Sequence, residues 1–249
     1  MKKIKFLMMA AVALLTASTF VACGDDDDDS KGGQQSNMER YQQEVDATVK
    51  SQKKNDKAIL VVAFGSTWQQ AYDAFDLTVE EYKKEFPGYD VYLSFSSAIC
   101  INRAMAGEHV KPRNFYEPKY WLEAFGRVQY KEIIVQSMQV IPGEEYTRVI
   151  NAMKDFANNS NGDLDDKYLS TMTLKLGYPL MAEYPSDVNK LAKALNDNFS
   201  SYAQKGAMLF MGHGNPDTYD TYKANVRYTQ LETALKAYSS NYYVGTVDM

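Results

Sequence analysis

Apolar and polar positions along this chain follow two periods that take turns. A valine-rich run from Ala58 to Ala63 ends in Phe64-Gly65-Ser66-Thr67 and predicts a buried strand followed by a turn. Behind it, Ala71, Phe75, Val79, Tyr82 and Phe86 share one helical stripe, which Pro87-Gly88 stops. Val91 to Phe95 predicts a second strand. Pro118 opens a helix through Trp121 and Phe125 that Gly126 ends, and Glu132 to Met138 predicts a third strand. Tyr146, Val149, Ile150, Met153 and Phe156 mark a helix over Glu144 to Phe156, followed by a turn-rich loop from Asn158 to Gly162. A fourth strand is expected over Thr171 to Leu176, then a helix from about Asp187 to Tyr202. Met208 to Met211 starts a fifth strand, Ala224, Tyr228, Leu231, Leu235 and Tyr238 share a helix, and Tyr242 to Val247 is a final strand. This alternation predicts an α/β fold with parallel strands, helices on both faces and right-handed connections.

The pattern repeats faintly. Ile59 to Ser66 and Met208 to Gly214 are each a strand, a glycine turn and then a long helix. Two similar halves are therefore expected, residues 57–205 with a crossover helix and residues 206–249. The second half stops after two strands. A parallel strand with nothing after it leaves a face poorly covered, so that half reads as incomplete.

The N-terminus has a different character. Lys2, Lys3 and Lys5 precede an apolar run from Phe6 to Leu15 and small residues up to Ala22, the pattern of a secretory signal over residues 1–22. Phe20-Val21-Ala22-Cys23-Gly24 resembles a lipobox, in which Cys23 would carry the lipid. Asp25 to Asp29 and the polar residues beyond cannot bury enough apolar surface to fold, so residues 23–56 are expected to be a tether. The expected address is an exported lipoprotein of the outer membrane, on its periplasmic face or at the cell surface.

Charge narrows the partners. The chain carries a net charge of −5; without the three signal lysines it is −8, and without the five aspartates as well it is −3. A mildly acidic domain with no Lys/Arg-rich tract is a poor nucleic-acid binder. With Cys23 committed to lipid, Cys100 has no partner for an internal disulfide and reads as a small buried hydrophobe.

Only two histidines occur. His213, in Met211-Gly212-His213-Gly214, sits where an apolar strand gives way to a glycine turn, at the carboxyl edge of a sheet where α/β folds bind ligands. A histidine that merely caps the turn is the alternative. His109, in Gly107-Glu108-His109-Val110, reads as a solvated loop residue. Phe115, Tyr116, Tyr120 and Trp121 could cover a flat ligand, although their spacing fits ordinary core better. Ser66 and Thr67 could bind a carboxylate or simply cap a helix, and Glu144 and Glu145 suit a helix start.

Taken together, Val61 to Thr67, Ile134 to Tyr146 (IVQSMQVIPGEEY), Met211 to Gly214 and Val244 to Val247 resemble the anaerobic-type sirohydrochlorin cobaltochelatases, members of the chelatase superfamily that includes ferrochelatase. The resemblance spans roughly residues 57 to 249. It implies two α/β halves with a tetrapyrrole in the cleft between them. The implied activity is insertion of Co2+ into sirohydrochlorin for cobalamin biosynthesis, a lyase reaction without an organic cofactor. The family pattern places histidines at the positions of Gln139 and His213, with a carboxylate for which Glu183 is the nearest candidate. His213 and Gln139 are thus the expected catalytic positions. His213, Gln139 and Glu183 are the expected metal ligands, and Gly65, Ser66, Thr67, Gly212 and Gly214 are expected to line the tetrapyrrole. A glutamine carbonyl binds Co2+ less well than imidazole and cannot take a proton at neutral pH. Hence a second reading stands beside the first: a non-catalytic lipoprotein that binds haem or another tetrapyrrole. By this comparison the chain also ends early, since relatives continue past the Val-Gly-Thr-Val strand. Association into a homo-oligomer is left open.

Overall fold

The computed structural model describes residues 36–216, 220 and 223–248. The expected signal sequence, Cys23 and the aspartate run lie outside these residues. Among the described residues, no helix is long and apolar enough to cross a membrane.

Helix α1 (Asn37–Gln52) opens the described chain, within the segment that the sequence assigned to a tether. That expectation is corrected for these residues. Ser36 and Glu39 form a reciprocal capping box, and Val45 and Val49 are fully buried. The helix packs on α4 (Pro118–Arg127), where Gln42 Nε2 donates to the Tyr120 carbonyl at 3.0 Å and Arg127 pairs with Asp46 at 2.6 Å. The stripe Tyr41, Val45, Val49 has a helical spacing of four, but three apolar residues in a polar stretch are a faint signal.

Strands β1 (Lys57–Ala63), β2 (Asp90–Phe95), β3 (Glu132–Ser137) and β4 (Thr173–Gly177) form a parallel sheet in the order β2-β1-β3-β4. The pleat sends alternate residues of β1 to opposite faces. Ala58, Leu60 and Val62 meet Trp121, Leu122 and Phe125 of α4 and Val149 and Met153 of α5 (Glu144–Ala157), together with α1. Ile59, Val61 and Ala63 meet Tyr72 and Tyr82 of α2 (Gln69–Glu85) and Ile101 of α3 (Ala98–Ala106). Helices thus cover both faces, as the alternation predicts. Phe115, Tyr116, Tyr120 and Trp121 are all buried, so they are core and do not cover a ligand. Helix α3 and the short α6 (Asp166–Thr171) carry no signal that the sequence reading used.

A buried carboxylate ties the start of this sheet together. Asp90 accepts from Lys54 N at 2.9 Å, Asn55 N at 3.0 Å, Asn55 Nδ2 at 2.8 Å and the Tyr130 hydroxyl at 2.6 Å. Burial alone would raise its pKa, but these donors outweigh it and hold the carboxyl below its ordinary value. Asp90→Asn turns an amide NH2 towards those donors and is expected to cost about 2–3 kcal/mol. Because the folded pKa is depressed, the carboxylate's contribution is present above about pH 4 and lost as pH falls through the folded value. Urea midpoints at pH 7 and pH 3 check this: the gap between native protein and Asp90→Asn should shrink at pH 3, and an equal gap at both would contradict it.

The second sheet is smaller. β5 (Met208–Gly214) and β6 (Tyr242–Asp248) pair in parallel, with Phe210 opposite Val244 and Gly212 opposite Thr246. Met208, Phe210 and Val244 pack on α7 (Ser186–Ala203) and α8 (Val226–Lys236) in a core that also takes Ile141 and Met181. Helix α7 therefore belongs physically with the second sheet, although it precedes residue 206. The opposite face of the sheet exposes Leu209, Met211, Tyr243 and Val247. Gly212 is required by packing, since a Cβ there would stand 2.2 Å from the Tyr228 ring. Gly212→Ala should lower stability by about 1–3 kcal/mol through overpacking. An unchanged melting temperature would show that the ring can move aside.

Candidate functional site

The loop after β1 is the geometric centre of the site. It leaves the carboxyl end of a central strand and carries Phe64, Gly65, Ser66, Thr67 and Trp68 before α2 begins. Gly65 has φ +120°, and a Cβ there would lie 2.7 Å from Cys100 Cβ and 2.9 Å from the Phe95 ring. Only glycine lets the loop cross α3 this closely. Burial pushes the Cys100 thiol up, in keeping with an inert packing residue.

His213 reaches this loop from the second sheet. It lies on the exposed face of β5, and its ring centroid is 6.2 Å from that of Phe64. Nδ1 lies 3.0 Å from the Gly214 carbonyl oxygen. A carbonyl only accepts, so Nδ1 is the donor in this contact, and Nε2 is the ring nitrogen through which His213 would meet a metal or a proton. The turn beyond is fastened to the first half, where Asn215 Oδ1 accepts from Glu144 N at 3.4 Å over Gly143. His213 is thereby held against the first half by the residue two places on.

Gln139 is placed differently. It is 9% exposed, and its side-chain carbonyl accepts from the Ser137 hydroxyl. Its backbone N–H donates to Ser137 Oγ at 3.2 Å, and Nε2 lies 3.5 Å from Ser96 Oγ. Ser96 in turn donates to Glu145 Oε2 at 2.6 Å. The amide oxygen is committed to a serine, which makes Gln139 a clamp between β2, β3 and the start of α5. Glu144 pairs with Arg148 at 2.7 Å.

Glu183 stands at the start of α7. Its backbone N–H donates to Asp187 Oδ2 at 3.2 Å, and its carboxylate lies 3.4 Å from Ser186 Oγ. It is exposed and acts locally at a helix start. Among the described residues, no three His, Cys, Asp or Glu side chains gather as a ready-made metal cage.

The remaining loop residues are accounted for locally. Ser66 Oγ accepts from Trp68 N at 3.2 Å, a turn-forming role. Thr67 Oγ1 lies 2.9 Å from His109 Nδ1, and the His109 ring stacks on Trp68 at 4.2 Å and 17°. His109, expected to be merely solvated, is thus engaged with the same loop that Phe64 presents to His213. Trp68 and Phe64 were missed in the sequence, where an aromatic on each side of Gly65-Ser66-Thr67 was the available signal.

Residues 57–249 match the family described as Cobalt chelatase (CbiK). The chain belongs to that family. Within it, the chain is similar to the sirohydrochlorin cobaltochelatase CbiKC of Nitratidesulfovibrio vulgaris, 27% identical over 194 residues that cover 77% of this chain and 61% of the relative. It is also similar to the sirohydrochlorin cobaltochelatase of Salmonella typhimurium, 25% identical over 159 residues covering 64% of this chain and 54% of the relative. The chain thus spans less than two thirds of the length of either relative. The α/β fold with two parallel sheets is that expected of a chelatase-like member, the second sheet being the smaller.

Proposed function

We propose that this chain inserts Co2+ into a sirohydrochlorin-type tetrapyrrole at the loop after β1, with His213 as its principal functional side chain. The observation that carries this is the placement of His213 beside Phe64, on an exposed strand face and with its Nδ1 3.0 Å from the Gly214 carbonyl oxygen. Insertion replaces two pyrrole protons with one divalent ion. His213 Nε2 can hold the incoming Co2+ as a borderline ligand or accept a proton, and Phe64 offers a flat apolar surface to the macrocycle. The names of the two relatives support sirohydrochlorin as substrate. Cys23 would carry the lipid that holds the protein at the outer membrane.

A second reading, binding of a tetrapyrrole without insertion, is favoured by Gln139, whose amide is tied to serines where the family pattern has histidine. The experiment is to mix the full chain with sirohydrochlorin and Co2+ and follow the absorption spectrum. Conversion faster than the protein-free reaction supports insertion. Saturable binding with no acceleration supports the binding reading, and neither would overturn both.

A further inference from the structure

We propose that Trp68 and His109 form a second contact surface for the tetrapyrrole, an aromatic shelf on the same loop whose Phe64 meets His213. The inference rests on the reading of this loop as a tetrapyrrole site. Both histidines of the chain meet the same short segment, His213 through Phe64 at 6.2 Å and His109 through Trp68 at 4.2 Å. A macrocycle is wide and flat, so a site for it needs apolar area spread along a loop as well as a point of metal contact.

The shelf is exposed yet rigid. Trp68 is 45% exposed although one face of its indole is covered by the imidazole, and Phe64 is 43% exposed. Two large aromatics open to solvent on one loop contrast with Trp121, which lies in the core. The His109 segment is braced on both sides. Arg113 holds Asp76 of α2 through two bonds of 2.8 and 2.6 Å, and Arg103 pairs with Glu108 at 3.3 Å. His109 itself has φ 76°, a left-handed backbone that non-glycine residues rarely adopt. Such a conformation is held by its surroundings, here the Arg103 and Arg113 contacts on either side. Here it turns the imidazole onto Trp68 and its Nδ1 onto Thr67. Offset stacking on an indole or imidazole favours a π-ligand beyond simple area burial.

The test is an absorbance titration of the full chain with metal-free sirohydrochlorin, comparing His109→Asn and Trp68→Leu with the native protein. Asparagine tolerates the left-handed backbone, so His109→Asn removes the ring and leaves the loop. Each variant should weaken binding about five- to tenfold, with melting temperature unchanged. Native-like affinity in both variants would overturn the shelf and leave the insertion reading standing. Absence of saturable binding by the native chain would overturn both.

Discussion

His213→Ala is expected to slow cobalt insertion by ~10²–10⁴-fold, the range for loss of a positioned acid–base side chain. The same substitution should leave stability within about 0.5 kcal/mol, because the residue is on an exposed strand face and outside the core. That contrast is what separates a functional histidine from one that caps a turn. A capping histidine would give the reverse: a lower urea midpoint and a rate scaled only by the fraction folded. The rate comes from the absorption change of sirohydrochlorin with Co2+ in excess, and the midpoint from far-ultraviolet circular dichroism.

Gln139→His is expected to raise the insertion rate by about tenfold to a hundredfold, below the full range for a general base. The reduction follows from the surroundings. The Ser137 hydroxyl, which now donates to the glutamine carbonyl, would donate to an imidazole nitrogen and compete with the pyrrole proton. Position 139 is also only 9% exposed, so little of the new ring would be open to a substrate. A single-turnover rate at neutral pH checks this. If the rate does not rise, position 139 lies outside the reacting centre in this chain and the second proton leaves by another group.

The elements of this fold were legible wherever a period ran long enough. β1 reads as an apolar run because it is buried on both faces, and α5 reads as a helix because Tyr146, Val149, Met153 and Phe156 line one side. Helix α1 was not legible. Its two buried valines sit among polar residues, and its docking depends on Tyr120 and Arg127, some 80 positions away. Contacts at that separation leave no trace in a local pattern. His213 was visible from its glycine turn and the strand before it. His109 was not, because what gives it meaning is the stack on Trp68 and the bond to Thr67, both across more than 40 residues. Glu183 was the nearest candidate for the carboxylate that the resemblance implies, and its carboxylate lies 3.4 Å from Ser186 Oγ in the first turn of α7.

Two of the three glycines expected to line the ligand, Gly65 and Gly212, are glycines for a packing reason, against Cys100 and Phe95 in one case and Tyr228 in the other. They position the site by letting the loop and strand approach their neighbours. A glycine motif therefore marks the place of a site more securely than it marks a ligand contact.

If His213 meets the metal, a chain with two histidines makes the contact directly measurable. Co2+ is paramagnetic, so it displaces or broadens the imidazole signals of any histidine it binds. Nitrogen-15 spectra of the full chain, labelled at histidine and titrated with Co2+, carry one pair of ring signals for His213 and one for His109. The His213 pair, assigned by its loss in His213→Ala, is expected to respond first and most strongly. An unmoved His213 pair at Co2+ concentrations that support insertion would contradict that contact.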